Sequence, residues 1–262
     1  EKGFLFEDEH MDYSQGVVER LSRSTEDYFL ESGNKITSPS NFSSIKENQI
    51  RKLISDYDKL PKVVKGILMD SFILREKGSL FDTSTLVLQW AKAVDILLYT
   101  TLGQDIIVGG KDIYSRLQSD VLAYDFSRKG FDEEQFLVDF SCSEYFNSHE
   151  FPFTKLIDLC DGILSGRIFR DHLRIIDGPR SWGLLLLLFG RSITYKNRRF
   201  QPILSLGGVD SKEILKRAAQ LNDLQEARNK GAHRTVYFEK RFINKVEKDT
   251  YQLINFILKS RP

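Results

Sequence analysis

Residues 82–103 read DTSTLVLQWAKAVDILLYTTLG, and this stretch constrains the fold more than any other. Leu86, Trp90, Val94 and Leu97 recur at helical spacing, and Leu88, Ala91 and Leu98 form a second apolar row. Asp82 or Thr83 can cap the start. A helix that is apolar around most of its girth needs cover on several sides, so it belongs at the centre of a helical assembly. Asp95 falls in the second row, where a carboxylate must find a partner or become neutral.

The rest of the chain supplies that cover. Residues 14–31 predict an amphipathic helix on Val17, Val18, Leu21, Tyr28, Phe29 and Leu30. The stretch SGNKITSPSNFSS, 32–44, reads as a linker or long loop. Ser44 and Glu47 make a capping-box pattern for a helix to about Tyr57, and Pro61 opens the next. Residues 110–170 predict several short helices, in KDIYSRLQSDVLAY, DEEQFLVDFS and FTKLIDLCDGIL. The run SWGLLLLLFGRS, 181–192, suits a short buried helix or a strand, and its lack of β-branched residues favours the helix. TYKNRRFQPILSLGG, 194–208, reads as a loop with concentrated positive charge.

Asp210 and Glu213 form a second capping-box pattern, ahead of a helix that leads into LNDLQEARNKGAHRTVYF, 221–238. The last helix, about 239–259, carries Phe242, Ile243, Val246, Leu253, Ile254 and Ile257 on one face. No alternating strand pattern of useful length and no fixed-period repeat stand out. The expected fold class is all-α, a helical bundle whose last two long helices pack antiparallel across a turn at 229–237. Residues 1–59 are expected to form an N-terminal helical segment and linker, and 60–262 the main helical domain.

Composition narrows the function. A net charge of +1 does not advertise a nucleic-acid binder, although a local basic cleft is enough for one. The longest apolar run, WGLLLLLF at 182–189, is far short of the roughly 20 residues that cross a bilayer, and no signal peptide is visible. The two cysteines, Cys142 and Cys160, lack metal or redox spacing. They read as reduced thiols of a cytoplasmic protein, with a single disulfide as the alternative. The chain opens on Glu1, as expected of a processed chain, a domain of something longer, or added expression residues. No cofactor and no metal-ligand cluster are indicated.

Arg228 and His233 make the pattern Arg-x4-His, which arises easily by chance, and Arg167 with His172 match it too. Context separates the two. Arg228 is followed by Asn229 and by the small residues Gly231 and Ala232, whereas RIFRDH is bulky. Ile214, Leu221 and Arg228 stand at seven-residue spacing, so the guanidinium continues an apolar face and is costly there unless it meets an anion. Asp95 is the candidate partner. Gly231 is expected to interrupt the helix, which would let His233 sit beside Arg228 around one pocket.

At this point LQEARNKGAHR resembles the R-N-x-x-x-H signature of the HEPN superfamily, and STLVLQWAKAVDILLYTTL resembles the first helix of HEPN domains. The order, apolar helix first and motif between the last two long helices, is also similar. The resemblance covers about residues 60–262. It implies a helical bundle that forms a homodimer with two facing motifs and, in the ribonuclease members, metal-independent RNA cleavage. His233 would then act as general acid or base. Arg228 would bind the phosphate, Asn229 would orient the phosphate or hold the histidine, and Asp95 would position Arg228. Lys230 and Arg234 flank the motif, and Lys196, Arg198 and Arg199, beside Tyr195 and Phe200, are further candidates for RNA contacts.

The resemblance also implies a setting in bacterial antiviral defence or a toxin system, with further domains or a regulatory partner. In one branch of the family a Tyr stands two residues beyond the His. Here that position is Thr235, and the nearest tyrosine is Tyr237. The alternative is a catalytically inactive HEPN-like domain used for dimerisation or partner docking.

Overall fold

Helices dominate the computed structural model, which describes residues 39–76, 83–118, 132–146, 151–170, 176, 178–195, 198–233 and 238–260. In chain order they are α1 (Pro39–Leu53), a 3-10 turn (Tyr57–Lys59), α2 (Lys62–Glu76), α3 (Thr83–Val108), α4 (Gly110–Gln118), α5 (Glu133–Asp139), α6 (Phe153–Leu164), α7 (Arg167–Arg170) and α8 (Pro179–Phe189). A hairpin of β1 (Ile193–Tyr195) and β2 (Arg198–Phe200) follows, then α9 (Ser211–His233) and α10 (Lys240–Lys259). The fold is all-α. Contacts divide the chain into two compact units, Glu1–Asn48 and Gln49–Pro262, and the description below concerns the second.

Helix α3 is its axis, as its apolar girth requires. Val87, Trp90, Ala91, Val94, Leu97 and Leu98 are fully buried, and α2, α8, α9 and α10 all pack on it. Helix α8 is the second buried element. Leu184 to Leu188 are all buried, and so is Trp182. It lies against α9 at very close range: a Cβ added to Gly183 would stand 2.9 Å from the Ala218 carbonyl oxygen and 3.3 Å from Leu221. Helices α9 and α10 run antiparallel, because the partners of rising residues in one fall in the other. Arg217 donates to Gln252, Gln220 to Asp249, and Lys245 pairs with Asp223.

Four expectations change. Helix α1 begins at Pro39, so it takes in part of the expected linker, and Ser44 lies inside the helix instead of capping it. Proline suits a first helical turn because it has no N–H to satisfy. The second unit starts at Gln49, not after residue 59. Ile50 and Ile54 are fully buried, and Ser55 donates through its backbone N and its Oγ to Asn255 Oδ1. The basic loop contains an antiparallel hairpin pairing Ile193 with Phe200, Thr194 with Arg199 and Tyr195 with Arg198. Three residues per strand are too few for an alternation to be read. The final turn is shorter than expected, since α9 extends to His233. The helix expected at 14–31 and the candidate cap Asp82 lie outside the described residues. No described helix is long and apolar enough to cross a membrane.

Both cysteines are free and buried, which closes the alternative of a disulfide between them. Burial pushes the Cys142 thiol up to about 12 and raises that of Cys160 as well. The thiolate is the reactive form. Neither cysteine should therefore react with Ellman's reagent at pH 8 in the native protein, and both should react after unfolding in guanidinium. Rapid titration of either thiol in the folded protein would contradict this packing. The helix crossing gives a second expectation. Gly183→Ala should cost about 1–3 kcal/mol through overpacking, seen as a lower urea midpoint at unchanged slope.

Candidate functional site

The motif lies on the last two turns of α9. Ile214, Leu215, Ala218, Leu221, Leu224 and Ala227 bury one side of this helix, and Arg228, next on the same side, is half-buried. The expected break at Gly231 does not occur. The helix continues to His233, and Gly231 is buried where a Cβ would stand 3.3 Å from Ser84 Cβ and 3.5 Å from the Ser84 carbonyl oxygen. The glycine allows α9 to approach the first turn of α3 closely.

A continuous helix turns about 100° and rises about 1.5 Å per residue. His233 therefore starts one turn beyond Asn229 and about 140° round from Arg228. The backbone stacks His233 above Asn229 rather than beside Arg228.

Arg228 meets a neutral group. Its Nη1 donates to Gln225 Oε1 over 3.4 Å, and Gln225 Nε2 donates to Asn229 Oδ1 at 2.8 Å. Gln225 is only 7% exposed. No described ion pair joins Arg228 to a carboxylate. Opposite this trio is Gly178, the residue before the first turn of α8, with φ 105°. A Cβ there would stand 2.5 Å from Gln225 Oε1 and 2.8 Å from Arg228 Nη1, so the position suits glycine on both conformational and steric grounds. Two residues on, Arg180 donates to Asn222 and pairs with Glu226, which ties the start of α8 to α9.

Electrostatics distinguish the two arginines at the ends of α8. Arg191, buried just past the C-terminus, donates to the carbonyl oxygens of Leu187 and Phe140. A helix C-terminus favours a cation. Arg228 is held at the N-terminal end, where no side chain caps the helix and the helix dipole favours an anion over a cation.

Asp95 is half-buried, and its Oδ1 accepts from Trp182 Nε1 at 3.0 Å, joining α3 to α8. The expected Asp95–Arg228 ion pair is not among the described ones. The contact of Gly231 with Ser84 registers the end of α9 on the first turn of α3, about 16 Å along the axis from Asp95. Lys230 is exposed and lines a groove of about 490 Å³ between α9 and α10, with Phe242, Lys245 and Glu226. Arg199 is exposed on β2 across from Thr194, and Arg198 pairs with Tyr195 in the ladder. Arg116 stacks 5.9 Å from the Phe200 ring. Lys196 and Arg234 lie outside the described residues. Of the competing pair, Arg167 is exposed and bonds Ser165, and His172 also lies outside.

Gln225 and Gly178 were not anticipated. Gln225 stands three residues before Arg228 and four before Asn229, helical spacing that marks it as a neighbour of both. Nothing in the sequence near Gly178 announces its contact with α9. Comparison of the chain with protein-family models, with curated proteins and with solved structures finds no match.

The Asp95–Trp182 bond can be tested directly. Asp95→Leu leaves the buried indole N–H without this acceptor and should cost about 1–3 kcal/mol. Asp95→Asn keeps an acceptor oxygen and should stay closer to wild type. Urea unfolding would measure both, and equal losses would mean that the indole bond is not what Asp95 supplies.

Proposed function

We propose that this chain is a metal-independent endoribonuclease of the HEPN type, acting as a homodimer in which Arg228, Asn229 and His233 surround an RNA phosphate. One observation carries the reading: a half-buried guanidinium at an uncapped helix N-terminus, with a neutral amide as its described partner. Such a place is unfavourable for an isolated cation and becomes favourable once an anion arrives. The R-N-x-x-x-H spacing adds a titratable imidazole one turn beyond Asn229.

The chemistry follows from the residue types. The ribose 2′-hydroxyl attacks the adjacent phosphorus, the 5′-oxygen leaves, and the products are a 2′,3′-cyclic phosphate and a 5′-hydroxyl. His233 takes the proton from the nucleophile or gives one to the leaving oxygen. Arg228 stabilises charge on the non-bridging oxygens. Lys230, Arg234 and the basic residues Lys196, Arg198 and Arg199 supply outlying phosphate contacts. Asp95 is given no step; its described bond joins α3 to α8. A role in antiviral defence or a toxin system, in the cytoplasm and under a regulatory partner, rests on the HEPN resemblance.

A second reading, an inactive HEPN-like dimerisation or docking domain, draws on the exposed apolar side chains Tyr99, Ile107 and Val108 of α3.

Labelled single-stranded RNA incubated with excess EDTA separates the two. The wild type should cleave it and leave cyclic-phosphate ends, and His233→Ala should be slower by about 10²–10⁴-fold, the usual weight of general acid–base catalysis. Equal cleavage by both proteins sinks the ribonuclease assignment. A folded dimer that leaves the RNA intact favours the docking domain.

A further inference from the structure

The hydrogen bonds around Gln225 have a fixed direction, and that direction matters for what the site can bind. A guanidinium only donates. The atom of Gln225 facing Arg228 Nη1 must therefore be the amide oxygen, which leaves Nε2 to face Asn229. Nε2 also only donates, so the Asn229 atom 2.8 Å away must be its oxygen. The usual ambiguity in amide orientation is removed here by the arginine at one end of the chain. Asn229 thus spends its oxygen on Gln225 and meets anything on its other side with N–H. Gln225 itself is nine-tenths buried, and Gly178 keeps the space beside it clear of any Cβ.

We infer that Gln225 is a positioning residue: it commits Asn229 to present its amide N–H beside the Arg228 guanidinium, so that the exposed side of the pair is a face of donors matched to the anionic oxygens of a phosphodiester. This deepens the ribonuclease reading and rests on it. Gln225 touches neither RNA nor reacting atoms. It acts through Asn229 and Arg228, and it selects an anionic backbone over a neutral group of similar shape.

The test is affinity for an RNA oligonucleotide carrying 2′-O-methyl riboses, which cannot be cleaved, across wild type, Gln225→Glu, Gln225→Leu, Asn229→Ala and the double variant Gln225→Leu/Asn229→Ala. Glutamate has the size of glutamine, yet it only accepts. It would pull Asn229 round to donate inward and would neutralise Arg228. Binding should weaken by about tenfold or more in Gln225→Glu, with an unchanged melting temperature, and by less in Gln225→Leu. A merely structural residue would give the opposite order, since leucine disturbs the packing and glutamate preserves the shape. The double variant should bind no more weakly than Asn229→Ala, because Gln225 has nothing left to position. Unchanged affinity in Gln225→Glu, or additive losses in the double variant, overturns this inference alone. A wild type that does not bind the oligonucleotide overturns the ribonuclease reading, and this inference with it.

Discussion

Helices α8 and α9 can lie against each other only because residue 183 lacks a side chain. The Ala218 carbonyl oxygen occupies the space a Cβ would need, and much of the second unit follows from that contact. Helix α8 is buried along all of its length but Arg180 and must be covered on nearly every side. With α9 drawn in close, α3 covers another side, and the Trp182–Asp95 bond pins that joint. The same approach brings the start of α8 against Gln225 and Arg228. The site's geometry is thus a product of core packing and not of a loop laid over it.

The two arginines at the ends of α8 show how one residue type serves opposite purposes. Arg191 is enclosed by carbonyl oxygens at the end of the helix where a cation is welcome. Arg228 is held by a neutral amide at the end where a cation is unwelcome. The first arrangement is complete within the chain. Among the described residues the second has no carboxylate partner, and that contrast, more than the motif spacing, directs attention to Arg228.

Much of this was legible in the sequence. The apolar girth of residues 82–103 announced a central helix, and Ile243, Val246, Leu253, Ile254 and Ile257, with Phe242 half-buried at their edge, gave the inward side of α10 because helical periodicity is a local signal. The run at 184–188 read correctly as helix because leucine without β-branching favours it. The errors came where a residue serves a distant neighbour. Gly231 looked like a helix break, and Ser84, far away in the chain, gives it another purpose. Asp95 looked like a partner for Arg228, and the bond described for it runs to the Trp182 indole. The hairpin hid because its strands are three residues long, and Gly178 hid because positive φ leaves no mark in its neighbours.

The hydrogen bonds between Ser55 and Asn255 join positions 200 residues apart. Helix α10 also receives Arg75, through Asn244 and Glu247, and it lies along both α3 and α9. A ribosome makes the chain from its N-terminus, and a domain closes as a unit. Helix α9, with Arg228 and Asn229 on it, must therefore wait for residues 240–259 to emerge before its second side is covered. A nascent chain halted before that point would hold every residue of the motif without the scaffold that positions it, so the order of synthesis itself delays the assembly of the site until the second unit is nearly finished.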